Sequence, residues 1–294
     1  MKTLIKLILV VVLLAVAGVL LGLVYVDRIA KAGIEKGGTF ALGVPTTLNS
    51  ASVGVFTGEF GMSKLAVANP AGFKEPSLLA LGEGDVKVSL PTLQQDVIEL
   101  PLLKLDGIAM ALERGDKGSN VGVILANLKR FETGEGAPKD QPKDSAPGKK
   151  FVIKEVDIRN VEVKLAIAGL SLPTIKIDQI PLKNIGTAGE PVDLPTVISI
   201  IFKAIVQTAT QIAGPALPGD VLGELQNGLG SLKSLESLGV SITADFGKAA
   251  QDFQQQVAGQ LEKAGEQLKQ GVDDAAKKLQ EGLGGLLGGD KNKK

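Results

Sequence analysis

Twenty consecutive uncharged residues, Leu7 to Val26, stand near the N-terminus, and no later stretch is as apolar. A helix of that length, at about 1.5 Å per residue, measures roughly 30 Å, the thickness of a bilayer's hydrocarbon core. The stretch constrains all that follows, because no second run of about 20 apolar residues exists to bring the chain back across a membrane. The richest later run, Val197 to Val206, is short and contains Lys203. A cleavable signal peptide is the competing reading, since Ala30-Lys31-Ala32 has the small-x-small form of a cleavage site. The apolar stretch exceeds the roughly 7–15 residues of a signal h-region, and Asp27 and Arg28 follow it directly. An uncleaved anchor is therefore the expectation. Flanking charge does not orient it: Lys2 and Lys6 precede the span, and Arg28, Lys31 and Lys36 follow it.

The chain contains no His, no Cys and no Trp. Without His and Cys there are no zinc sites of the usual kind, no thiol nucleophiles and no Ser-His or Cys-His pairs. The missing Cys also excludes a lipoprotein signal. Asp85, Asp96, Glu99, Asp106 and Glu113 are scattered and read as solvated strand residues rather than ligands. Gly82-Glu83-Gly84-Asp85 lacks the Lys-Ser/Thr of a phosphate-binding loop and reads as a turn. A Ser-Lys hydrolase survives only formally, because no pair is placed by a known mechanism. The expectation is a protein with no catalytic residues, no metal and no cofactor. Lys and Arg together number 32, as do Asp and Glu, and a balanced chain poor in aromatics argues against nucleic acid as a partner.

Four regions follow from texture: an anchor with helical extension (1–36), a sheet domain (37–190), packing helices (191–240), and an amphipathic C-terminal helix with its tail (241–294). After the anchor, Asp27 to Lys36 continues as helix and Gly37-Gly38 is expected to stop it. From Thr39 to about Ile185, short alternating segments bounded by Gly, Pro and Asn predict a meandering antiparallel sheet. In Asp85 to Leu90, for example, Val86, Val88 and Leu90 share one face, opposite Asp85, Lys87 and Ser89. Two segments read as copies. In Leu103–Leu112, Leu103 and Leu105 share a face, the apolar parity slips at Gly107, and Ile108, Met110 and Leu112 continue. Val156–Leu165 does the same, with the slip at Asn160 leading into Val161, Val163 and Leu165. A slip at a residue that tolerates the left-handed region predicts a β-bulge or tight bend that curves the sheet and keeps its apolar face inward. Leu65, Val67 and Asn69 form a shorter third instance. The Pro-rich, charged segment 133–150 reads as a flexible loop.

Asp193 or Thr196 can cap a helix running to about Ala213, whose wide apolar surface predicts packing against the sheet. Val221 to Leu238 reads as a weaker, Gly-interrupted helix. Beyond it an eleven-residue period sets Phe246, Val257, Leu268 and Leu279 in line, beside Ala250, Leu261, Val272 and Leu283 and beside Phe253, Ala264, Ala275 and Leu286. Such a period keeps one stripe aligned along a straight or slightly right-handed helix. The stripe suits a helical partner or a membrane surface, and the balanced polar face favours protein packing. The overall expectation is an α+β protein: N-terminal transmembrane helix, curved antiparallel sheet with a packed helix, and a long amphipathic C-terminal helix.

The segment from about Arg28 to Gly186 resembles the AsmA-like family of bacterial envelope proteins. The resemblance rests on Ile34–Gly43, on Leu65–Phe73 with its Asn69-Pro70-Ala71-Gly72-Phe73 turn, and on the alternating strands at Val86–Leu90 and Ile98–Leu112. Physically, Asn69, Pro70, Gly72 and Phe73 form a structural turn with Phe73 as its buried anchor. The resemblance implies a single-pass inner-membrane protein, N-terminus in and body in the periplasm, related to bridge-like lipid-transfer proteins. It further implies that the apolar face of the sheet cradles phospholipid acyl chains. Val86, Val88, Leu90, Leu103, Leu105, Ile108, Met110, Leu112, Val161, Val163 and Leu165 are the candidate lining, and the plainer reading makes them the core beneath the Val197–Ile212 helix. Two functions stand: lipid handling or envelope assembly through an apolar groove, and a non-catalytic envelope scaffold that binds an envelope partner or itself through 246–286. A dozen strands at about 4.8 Å stack to about 60 Å at most, which is short for spanning a periplasm alone.

Overall fold

The computed structural model describes residues 25–116, 118–133, 149–167 and 172–287. Most of the expected anchor, most of the 133–150 loop and the last seven residues lie outside them. Helix α1 covers residues 25–42, and the strands β1 (Thr46–Gly54), β2 (Glu59–Ala68), β3 (Ser77–Lys87), β4 (Val97–Leu100), β5 (Leu102–Gly115) and β6 (Gly118–Ser119) follow. Helix α2 (Asn120–Thr133) leads to β7 (Lys150–Ala166) and β8 (Ile175–Ile185), then α3 (Leu194–Ala213), α4 (Gly219–Gly230), β9 (Ser241–Ile242) and α5 (Gly247–Leu287). The class is α+β.

The sheet is mixed, and the all-antiparallel expectation is corrected. Strand order is β1-β2-β3-β5-β7-β8-β9, with β4 beside β7 and β6 beside β5. Both β4 and β5 run parallel to β7. The physical reason is α2, whose Val121, Ile124, Leu125 and Leu128 are all fully buried. Their i, i+3, i+4, i+7 spacing is that of an amphipathic helix. This helix, unexpected inside the sheet region, carries the chain from the end of β5 before β7 starts in the same direction.

The two copied segments turn out to be neighbours. Leu103 pairs with Val156, Leu105 with Ile158, Ile108 with Val161, Met110 with Val163 and Leu112 with Leu165. Gly107 and Asn160 face each other at the slip, with φ of 73° and 52°. The same row continues outward through Gly82 and Lys64, the latter at φ 52°, and reaches Asn49 on one side and Asp178 on the other. Partners stay one to one across this row. It is therefore a crease spanning β1 to β8 rather than a bulge with an extra residue. Every strand changes apolar parity there, so its inner face stays apolar on both sides. A second crease passes through Lys154 and Asn184, the latter at φ 64°. A left-handed β-branched residue costs about 1–2 kcal/mol. Asn160→Val should therefore lower the unfolding free energy by at least about that much in chemical denaturation, while Asn160→Gly should stay within about 0.5 kcal/mol.

Helix α1 does not stop at Gly37-Gly38. It runs on to Leu42 and ends at Gly43, whose φ is 70° and whose N–H donates to the Thr39 carbonyl (2.9 Å). The two glycines serve close packing instead. A Cβ on Gly37 would lie 3.2 Å from the Leu194 side chain, and one on Gly38 would lie 2.8 Å from that of Thr46. Along its length α1 straps the edge strand β1 with side chains four residues apart. Asp27 accepts from the Val53 N–H (2.7 Å), Lys31 donates to the Asn49 carbonyl (3.2 Å), Glu35 accepts from the Leu48 N–H (2.9 Å) and Thr39 from the Thr46 N–H (3.0 Å). Twelve helical residues, about 18 Å, thus lie along seven residues of the strand, about 23 Å, with uneven steps between the four ties. The strap satisfies an edge that would otherwise invite another strand.

Helix α3 is the centre of the core. Asp193 caps it, accepting from the Thr196 N–H (2.9 Å), and its buried residues lie on all sides. Among the described residues, Leu194–Ala216 is the one stretch long and apolar enough to cross a membrane, yet 72% of its most apolar window is buried inside the molecule. Helix α4 ends at Gly230, and a separate turn at Glu236–Leu238 replaces the later part of the expected Val221–Leu238 helix. Helix α5 is 41 residues long, about 60 Å.

Candidate functional site

Two surfaces qualify as functional: the apolar inner face of the sheet and the outer reach of α5. The inner face is occupied. Leu103, Leu105, Ile108, Met110, Leu112, Val161, Val163 and Leu165 are all buried, as is Val86, and all belong to one core cluster with Ile200, Ile205, Val206 and Ile212 of α3. Val88 is half-buried against this core. Leu90 departs from the set, standing 44% exposed on the short turn between β3 and β4. Between the strands and α3, bounded by Met110, Leu112, Val163, Leu165, Val206 and Leu225, a void of about 10 Å³ remains. That is room for about one water molecule and far less than an acyl chain requires. In this conformation the lining candidates are packed core, and α3 fills the place a ligand would take.

The Asn69–Phe73 turn is held differently from the expectation. Gly72 supplies the turn with φ 96° and Pro70 is buried, but Phe73 is only half-buried, its ring edge against Gly115. The anchor is Glu113. This residue was expected to be solvated, yet it is 7% exposed. Its carboxylate accepts from the Lys74 N–H (2.7 Å), the Glu75 N–H (2.9 Å) and the Asn69 amide (3.1 Å). Asn120 completes the cluster, accepting from the Glu113 N–H (2.8 Å) and donating to the Asn69 side-chain oxygen (2.9 Å). Burial by itself would raise the Glu113 pKa, but the hydrogen bonds outweigh it and hold the carboxyl below its ordinary value. Three donors from neighbouring backbone and Asn69 converge on the carboxylate, which makes the cluster a structural clamp.

A second cleft, about 360 Å³, opens between α3 and α4 and is lined by Gln207, Gln211, Gln226 and Ser234. At its base Lys203, 3% exposed, donates to Glu132 (2.8 Å) and to the Lys233 carbonyl (3.0 Å). Glu132 also accepts from the Lys233 N–H (2.8 Å). The pair ties α2, α3 and the segment after α4 together and leaves the lysine charge fully engaged. No group of three or more potential metal ligands occurs among the described residues.

Helix α5 divides by burial. Near its start Phe253 is 2% exposed, and the preceding Phe246 and then Val257 pack partly against the core. One turn later the stripe is uncovered: Leu261 is 69% exposed. From Gln260 onward, the described α5 side chains are exposed. Some 27 further residues, about 40 Å of helix, extend past Gln260. Of the period's described positions, Phe246, Phe253 and Val257 meet the body, and Leu261 and Ala264 do not.

No family model matches the chain, and no curated protein matches it.

Proposed function

We propose that this protein is a non-catalytic, membrane-anchored envelope scaffold that presents a sheet domain at the bilayer and projects α5 to bind a partner helix. The observation that carries this reading is the division of α5, with Phe253 docked on the body and Leu261 exposed on the same eleven-residue pattern. Five glycines between 247 and 282 make such a helix marginal in isolation, each costing roughly 1 kcal/mol against Ala, so a stripe left uncovered is best explained by a partner that covers it. The AsmA-like resemblance supports a periplasmic body. Lipid handling is the second reading, and the continuous apolar inner face favours it. It requires α3 to leave the trough it fills, because the remaining void is too small for an acyl chain.

Truncation separates the two. Removing 259–294 spares Phe246, Phe253 and Val257, so the domain should keep its cooperative unfolding while losing self-association or partner capture. A shortened chain that keeps its oligomeric state and partners overturns the scaffold reading. Bound phospholipid, found by mass spectrometry in protein purified without residues 1–24, would favour lipid handling instead.

A further inference from the structure

The strap of α1 on β1 places one corner of the domain beside the point where the apolar run Leu7–Val26 ends. Asp27, the first residue after that run, is bonded to the Val53 N–H (2.7 Å). Phe56 follows Val53 by three residues, at most about 10 Å of chain. It sits at the tip of the β1–β2 turn, where the Thr57 and Gly58 N–H groups both donate to the Gly54 carbonyl, and it is 78% exposed. Gly58 (φ 68°) is pressed between the Val88 carbonyl and Leu90, since a Cβ there would lie 2.7 Å from the former and 3.2 Å from the Leu90 side chain. Phe56 and Leu90 therefore share one rim. Tyr25, Val26 and Ile29 at the start of α1 are exposed as well. Of the seven large hydrophobics that stand exposed among the described residues, five are thus at this corner.

The loop Val53–Gly58 and the loop Ser89–Gln95 contain no charged residue of their own, and the charges of this corner stand beside them: Asp27 and Arg28 on α1, Glu59 and Lys87 paired at the ends of β2 and β3, and Lys149, which donates to the Gln95 carbonyl. Exposed aromatic and aliphatic side chains on uncharged loops suit the headgroup–acyl boundary, where aromatic rings are enriched. A free solvated loop has no need of them.

We propose that Phe56 and Leu90 insert into the interface of the same leaflet from which α1 emerges, making a second contact that fixes the tilt of the domain on the membrane. The proposal rests on reading Leu7–Val26 as an uncleaved anchor. Its occupant is the lipid surface itself, of no particular headgroup, because the two inserting loops, Val53–Gly58 and Ser89–Gln95, carry no basic side chain of their own.

The chain has no Trp, so Phe56→Trp in the full-length protein supplies a single reporter at a position too exposed to disturb the core. Val123→Trp, on α2 at the opposite end of β5, supplies the control. Both are reconstituted into phosphatidylethanolamine–phosphatidylglycerol vesicles with or without acyl-brominated phospholipid. Trp at 56 should shift to the blue and be quenched about twofold, as expected for a ring about 5–10 Å into the interface, while Trp at 123 is unchanged. Protein that floats with vesicles after an alkaline wash, yet shows no bromine quenching at 56, keeps the anchor and overturns the corner contact. Protein that fails to float overturns both. A blue shift that follows protein concentration rather than brominated lipid assigns the corner to a contact between copies and also overturns the proposal.

Discussion

Glu132→Ala should lower the unfolding free energy by about 3–5 kcal/mol, because it strands the Lys203 ammonium in the interior. Lys203 is 3% exposed and among the described residues has Glu132 as its one charged partner, with the Lys233 carbonyl as a second acceptor. Domains of this kind hold only about 5–15 kcal/mol in total, so the loss should appear as a fall in melting temperature on the order of 10 °C. The cause is desolvation, and that gives the test its second arm. Replacing both partners, Lys203→Met with Glu132→Leu, removes the two charges together and should recover most of the loss. Chemical denaturation of the single and double variants measures the coupling directly. If Glu132→Ala and the double variant are equally unstable, the cost lies in the Lys233 N–H that Glu132 also accepts, and the ion pair is not the source.

Acid should unfold this protein partly through Glu113, and Glu113→Ala should cost about 2–4 kcal/mol near neutral pH by leaving the Lys74 and Glu75 N–H groups and the Asn69 amide without their acceptor. The pH dependence has a definite sign. The folded pKa lies below the ordinary value of 4.5, so the carboxylate's contribution is complete above 4.5 and is lost as pH falls through the lower, folded value. Denaturation midpoints measured down the acid range should therefore drop over that window in the wild type. Glu113→Gln, less stable near neutrality because an amide hydrogen now faces a donor, should show a shallower dependence. Equal slopes for the two proteins would mean that the acid transition belongs to other carboxylates.

Both networks lie where local patterns in the chain are silent. Glu113 follows Leu112 in the part of β5 beyond Gly107, where the alternation of Ile108, Met110 and Leu112 marks it as outward and wet. What buries it is the Asn69–Glu75 turn, brought from some forty residues away. Lys203 interrupts an otherwise apolar helix, and only the return of α2 and the segment after α4 gives it partners. Strand direction is equally hidden. A period of two is the same for parallel and antiparallel neighbours, so β5 and β7 read as copies without revealing that they lie side by side and run the same way. Helix α2 was there to be read in Val121, Ile124, Leu125 and Leu128, and the surrounding β texture obscured it.

Much else is written locally. The Asp193 cap, the buried apolar surface of α3, and the parity slips at Gly107 and Asn160 each depend on a few neighbouring residues and on the stereochemistry of one backbone position, and each reappears in the fold. Sequence alone therefore determined the α+β class, the crease of the sheet, the core helix and its start. Tertiary structure decided the rest. Gly37-Gly38 looks like a helix stop, but the Leu194 and Thr46 side chains that crowd it come from elsewhere in the chain and make it a packing site. The inner face of the sheet is apolar whether it faces a ligand or a helix, because burial asks for the same residues in both cases. The position of α3 makes it core here, and on α5 the same pattern buries Phe253 and leaves Leu261 exposed, because the body reaches only the first turns of that helix.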